Sequence, residues 1–210
     1  METMWSLYGM ITLILLAGIV GYGAMILVTN PHVKDITAVS SIKTALRNLG
    51  VEKPAWRTLI ISASQDIRLP AEALWEAWSQ LESWPLWSKD THAAAKWIGE
   101  PGWQAGARFE QVMDMGFPIG NRRTVETVEE VDPLRRVRWC QNGGGMRACH
   151  IWSFAMLPNG RVRVTNTEVF HGTFIGLIKP IVASRWEKKF NAAISGLAEA
   201  ARKVPLPVQE

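Results

Sequence analysis

The sequence predicts an α+β domain on three observations. A strand-like run followed by an amphipathic helix comes first. Short strand-like runs separated by turn residues then occupy Lys96 to Gly172, and an apolar stripe of helical period closes the chain. A sheet of this kind must bury one face, and the last helix is long enough to cover it. Ahead of the domain stands a 25-residue stretch, Met4 to Val28, without a charged residue.

That stretch, "MWSLYGMITLILLAGIVGYGAMILV", would make a helix of roughly 37 Å, enough to cross a bilayer with some tilt. A cleaved secretory signal carries a basic start and a shorter apolar run, whereas this chain begins "MET". Residues 1–30 are therefore expected to form a single-pass anchor, with Trp5 and Tyr8 near its outer end. Nothing basic precedes the span except the amino terminus, while Lys34, Lys43, Arg47 and Lys53 follow it. By the charge bias the globular part faces the cytoplasm.

Residues 31–55 read as a linker helix. Pro31 breaks the chain, Asp35 can cap "ITAVSSIKTALRNLG", and Gly50 stops it. Ile36, Val39, Ile42, Leu46 and Leu49 share one arc, edged by Lys43 and Arg47. Such a helix either lies on an anionic membrane surface or packs on the domain that follows.

The main domain spans 56–204, with 205–210 as a tail. "WRTLIISASQDI" reads as its first strand. Pro70 then opens a helix in which Ala71, Leu74, Trp75, Trp78 and Leu81 recur at helical spacing, ended or restarted by Pro85. Strands are expected near 93–98, 107–115, 122–131, 135–142, 147–157 and 161–171, seven in all with the first. Val182, Trp186, Phe190, Ala193, Ile194, Leu197 and Ala201 form the stripe of a final helix over Pro180 to Lys203. Net charge is +4, yet the densest basic group, "RRVR" at Arg135 to Arg138, has no phosphate loop, zinc spacing or recognition helix beside it. A solvated strand face accounts for it better than nucleic acid.

Two motifs carry a resemblance. "LPAEALWEAWSQLESWPLWS" resembles the opening of the START-like (SRPBCC) superfamily, the helix-grip proteins typified by the birch pollen allergen. "FAMLPNGRVRVTNTEVFHG" is similar to that family's late hairpin. The similarity covers roughly residues 56 to 203. It implies a curved seven-stranded antiparallel sheet gripping the C-terminal helix around a cavity used for lipids, sterols or polyketides. The family's usual Trp-Asn-Pro after the first helix is here Trp87-Ser88-Lys89.

With Arg161 and Arg163 outward, Val162, Val164, Asn166, Glu168 and Phe170 point inward. Ala148, His150, Trp152, Phe154 and Met156 share a face of the preceding strand, as do Phe109, Gln111 and Met113 upstream. Such surfaces suit either a lipid pocket or an ordinary core. The fold that the resemblance implies makes them pocket walls, with Trp139, Trp186 and Phe190, and sets Trp84 and Trp87 at the cavity mouth, while Trp75 and Trp78 are core. Glu168 either orients a ligand or pairs with a basic residue such as Arg185.

The acid-base inventory is thin: His92, His150, His171, Glu168, Ser153 and Thr165, with no nucleophile elbow. Cys149 beside His150 is a weak metal signal, and no metal or cofactor is expected. Cys140 and Cys149 face each other if Gly144-Gly145 make a two-residue turn, whereas a four-residue loop would set Cys140 against Arg147. In a cytoplasmic domain both thiols should be reduced. The expected function is a membrane-tethered protein that binds or transfers an apolar, lipid-like molecule without catalysis. The alternatives are a cyclase or aromatase working through Glu168 and His150, and a partner protein taking a peptide in the groove.

Overall fold

The computed structural model describes residues 40–52, 57–116, 120–143 and 145–205. The expected anchor lies outside these residues, as do Ile36, Val39 and the Asp35 cap. Among the described residues no helix is long and apolar enough to cross a membrane.

The elements in chain order are α1 (Ser40–Asn48), β1 (Thr58–Ile67), α2 (Ala71–Ser79), a 3-10 turn (Leu81–Ser83), α3 (Trp84–Trp87), β2 (His92–Ile98), β3 (Arg108–Asp114), β4 (Asn121–Asp132), β5 (Arg136–Gly143), β6 (Met146–Met156), β7 (Val162–Gly172) and α4 (Thr173–Ala201). The strands form one seven-stranded sheet in the order β1-β7-β6-β5-β4-β3-β2, every pairing antiparallel. Only β1 leaves sequence order, crossing to pair with β7, so the last strand lies beside the first. The final helix begins at Thr173 rather than near Pro180, about two turns earlier than its stripe indicates. "TFIGLI" is apolar nearly all round and shows no stripe, and the helix runs on through Pro180.

Alternation along the strands divides two cores. The inner face of the sheet, α2 and α4 bury the larger cluster, with Trp78, Trp139, Trp152, Phe109, Phe190, Ile194 and Leu197 at its centre. The outer face carries Ile60, Cys140, Cys149, Ile151 and Val169, and α1 lies over them with Ile42, Ala45, Leu46 and Leu49. The apolar arc of the linker helix is thus spent on the domain, while Lys43 and Arg47 face solvent. Burying each of its large aliphatic side chains stabilises the contact by about 1.5–3 kcal/mol.

The end of α1 is fixed by its backbone. Gly50, at φ +69, lets its own N–H bond to the Arg47 carbonyl and the Val51 N–H to that of Leu46, a Schellman closure. Arg147 Nη1 then donates to the Leu49 carbonyl at 3.1 Å, placing a cation at the helix C-terminus where its dipole favours one.

Two expectations need correction on this outer face. Gly143 pairs with Met146, the short-turn register, which sets Cys140 against Cys149 with Cα atoms 4.1 Å apart. The two are joined as a disulfide rather than held as free thiols. "RRVR" is not simply solvated: Arg138 is only 5% exposed, donating to Glu129 at 3.2 Å and Glu130 at 2.5 Å, with Arg136 also bonded to Glu130. A buried guanidinium is tolerated because two carboxylates meet it.

Candidate ligand site inside the grip

The β7 alternation puts Val164, Asn166, Glu168 and Phe170 inside, as its sequence indicates, and all four are buried. Register brings β6 His150 directly opposite Glu168 and Trp152 opposite Asn166. His150 Nε2 lies 2.5 Å from Asn166 Oδ1, so Nε2 carries the proton that the amide oxygen accepts. That tautomer leaves the Nδ1 lone pair facing Glu168 Oε2 at 3.6 Å. Glu168 Oε2 has no hydrogen bond among the described residues.

Burial decides the protonation of this pair. It pulls the His150 imidazole down to about 3, against the Asn166 hydrogen bond that favours the charged form. It pushes the Glu168 carboxyl well above the usual carboxylate range, helped by Glu126 nearby. Imidazole and carboxyl therefore meet as neutral groups rather than as an ion pair. Arg185 is solvent-exposed, whereas Glu168 is buried.

A second polar pair lies across the concave face. Gln111 Nε2 donates to Glu126 Oε1 at 3.0 Å. Burial raises the Glu126 carboxyl, and it outweighs the Thr124 and Gln111 contacts that favour the anion. His92 is buried with Nδ1 3.0 Å from Ser88 Oγ, its imidazole lowered to about 4 by burial. The interior thus holds two carboxyls and two imidazoles, and burial biases all four toward their uncharged forms.

Thr124 and Glu126 were not legible as interior residues. On β4 the apolar Val125 is 40% exposed while Glu126 is 3% exposed, the reverse of the usual alternation. Only the phase set by Val128, which is buried one step further along the same face, could have signalled it.

The aromatic residues close most of the remaining space. Trp78 contacts Trp75, Trp84, Trp103, Trp139, Trp152 and Phe154 with ring centroids 4.4–6.3 Å apart. Trp84, expected at the mouth, sits in this core at 1% exposure and donates its indole N–H to the Trp78 carbonyl at 2.7 Å. Phe109, Trp139, Trp152, Phe154, Val164 and Phe190 belong to the same packed cluster. Trp87 is half-buried and packs edge-on against Trp84 and Trp152. Its helix rests directly on α4: a Cβ at Gly196 would come within 1.9 Å of the Trp87 carbonyl oxygen, so only glycine permits that approach.

Free space survives at the other end of the grip. Two small cavities of about 10 and 40 Å³ share Met115, Arg122, Met146, Phe170 and Trp186. Met113 and Glu168 line the smaller one. Of the expected ligand residues, Met113, Glu168, Phe170 and Trp186 are therefore brought together around open volume. A cavity needs about 10–15 Å³ of water-accessible space to hold one water, so these hold a few waters at most and not a lipid. Three of the walls are methionines, whose unbranched side chains repack readily. A separate open groove of about 730 Å³ runs outside the grip between α2, α3 and the last turns of α4, past Leu86 and Gly196.

The remaining candidates fall elsewhere. Thr165 bonds Ser64 and His171 bonds Thr58 on the opposite side of the sheet from Glu168. Cys149 and His150 point to opposite faces of β6, so they cannot share a metal. The one group of metal-ligating side chains among the described residues, Glu129 with Cys140 and Cys149, has both sulfurs consumed by the disulfide.

A seven-stranded antiparallel sheet gripping a long C-terminal helix defines an α+β helix-grip fold. Residues 58–202 match the family model described as polyketide cyclase / dehydrase and lipid transport, and the chain belongs to that family. No curated protein matches it. Among solved structures, a protein of Thermus thermophilus is 21% identical, covers 69% of this chain and 97% of its own, and superposes with a TM-score of 0.57. An aromatase/cyclase from Streptomyces sp. R1128 is 15% identical over 70% of this chain and 96% of its own, TM-score 0.56. Norcoclaurine synthase from Thalictrum flavum, truncated, is 13% identical over 70% and 96%, TM-score 0.54. At these identities the likeness is one of fold.

Proposed function

We propose that the domain binds an apolar, lipid-like small molecule inside the grip, and that residues 1–30 tether it to the membrane from which that molecule comes. The observation that carries this is Glu168, whose carboxyl is buried among aromatic and aliphatic walls with one oxygen unsatisfied. Leaving a buried polar atom unpaired costs roughly 1–3 kcal/mol, and a ligand that completes it removes the cost. Family membership supports the same use of the interior. The adaptable methionine walls supply the room, since a ligand larger than a water must displace Met115 or Met146. Tethering keeps the site close to its lipid source. The charge bias points to the cytoplasmic side and the Cys140–Cys149 disulfide to an oxidising one; a reporter fused after Glu210 that is active only outside the cytoplasm would overturn the cytoplasmic assignment.

The experiment for binding is gentle extraction of the native protein followed by lipid analysis. A co-purifying apolar molecule supports the proposal; an empty protein that also binds no apolar probe at micromolar level refutes it. A second possibility, a cyclase or aromatase, is favoured by the His150 to Glu168 geometry, which joins a neutral base and a protonated acid. Loss of turnover with retained ligand binding in Glu168→Gln would support it.

A further inference from the structure

We propose that the ligand is an amphiphile with a carboxylate head, seated against Arg122 with Thr124, Gln141 and Glu168 around it, its tail lying along Leu59, Ile175 and Val182. This rests on the internal binding site proposed above and names the chemistry that site selects.

The two cavities are neighbours with unlike walls. Both touch Arg122, Met115, Met146, Phe170 and Trp186. The smaller adds Thr124, Gln141 and Glu168, a hydroxyl, an amide and a carboxyl. The larger adds Leu59, Ile175 and Val182, none of which offers a polar side-chain atom. A molecule that fills both is polar at one end and apolar at the other.

Arg122 assigns the sign of the head. It is half-buried at the seam of the two cavities, and no salt bridge or hydrogen bond engages its guanidinium among the described residues, although the interior-facing acid on its strand, Glu126, feels its charge. Its strand neighbour Arg123, by contrast, is engaged with Glu110 on the outside. A guanidinium left open beside a cavity offers a planar fork that matches a carboxylate with two parallel bonds. Glu168, 4% exposed and held neutral by burial, adds an O–H donor instead of a competing anion. A protonated amine would meet Arg122 with like charge, and an alcohol would leave the fork unfilled.

The test uses the full-length protein in lipid nanodiscs, with empty discs subtracted, titrated with octanoate, octanol and octylamine and read by tryptophan fluorescence. Octanoate should bind at least about tenfold more tightly than either other probe. Arg122→Gln should erase that preference by weakening octanoate to the level of octanol, and a cooperative urea transition shows that the variant is folded. Arg122→Lys should retain only part of the preference, because the charge stays and the fork is lost. If the wild-type protein binds all three alike, or prefers octylamine, the carboxylate assignment is wrong while the internal site stands. If it binds none of them, the internal site itself is refuted, and this assignment with it.

Discussion

Replacing Glu168 by glutamine asks whether the buried carboxyl is neutral. The side chain keeps its shape and loses its ability to ionise. In the unfolded wild-type chain the carboxyl titrates near 4.5, whereas burial holds it protonated to a much higher pH in the native state. Between those two values the native protein binds one more proton than the unfolded one, so stability falls as pH rises. Anywhere inside that window the slope is about 1.4 kcal/mol per pH unit. His92 and His150 act in the opposite direction: their imidazoles are lowered from 6.5 to about 4 and about 3, so stability is lost as pH falls below 6.5. Both histidines are present in either protein and cancel in the difference. Urea unfolding of wild type and Glu168→Gln, followed by tryptophan fluorescence from about pH 4 to pH 7, isolates the carboxyl. The variant should gain on wild type steadily above pH 4.5. If His150 and Glu168 were instead an ion pair, glutamine would strand a buried imidazolium and cost about 3–5 kcal/mol near neutrality. A variant that loses stability there, or a flat difference, refutes the neutral pair.

Three further outcomes follow from the packing. Gly196→Ala drives a methyl group into the Trp87 carbonyl and should destabilise by about 1–3 kcal/mol in thermal or urea unfolding; a neutral result would mean that α3 does not rest on α4. Trp84→Ala removes a fully buried indole and its bond to Trp78, a loss of about 3–5 kcal/mol, while Trp87→Ala, half-buried, should cost visibly less; equal losses would contradict the division between them. Unfolded, unreduced protein should take up no thiol label until reductant is added, and reduction should cost about 2–3 kcal/mol for a bridge nine residues apart. Labelling of two thiols without reductant would restore the reduced pair expected of a cytoplasmic domain.

The sequence made the strands visible where alternation and turn residues agree, and it placed Asn166, Glu168 and Phe170 inside from the phase of β7 alone. Trp78 at helical spacing was legible as core for the same reason. Arg122, Thr124 and Glu126 were not, because β4 turns an apolar valine outward and a glutamate inward, so hydrophobic alternation gives the wrong phase. The first two turns of α4 were hidden by uniform apolarity, which carries no period. Trp84 could not be told from Trp87 by spacing, since which indole is covered depends on α3 lying against Gly196, far along the chain. The outer-face location of α1 was one of two open possibilities, and only the complementary apolar patch on β1, β5, β6 and β7 decides it.

Whether the grip holds a ligand is decided most directly by native mass spectrometry of the full-length protein, released from its own membranes in mild detergent. A stoichiometric apolar adduct, displaced by octanoate and diminished in Arg122→Gln, is the expected outcome. A protein that appears only at its own mass, and that no apolar probe shifts, would rule out an internal ligand site.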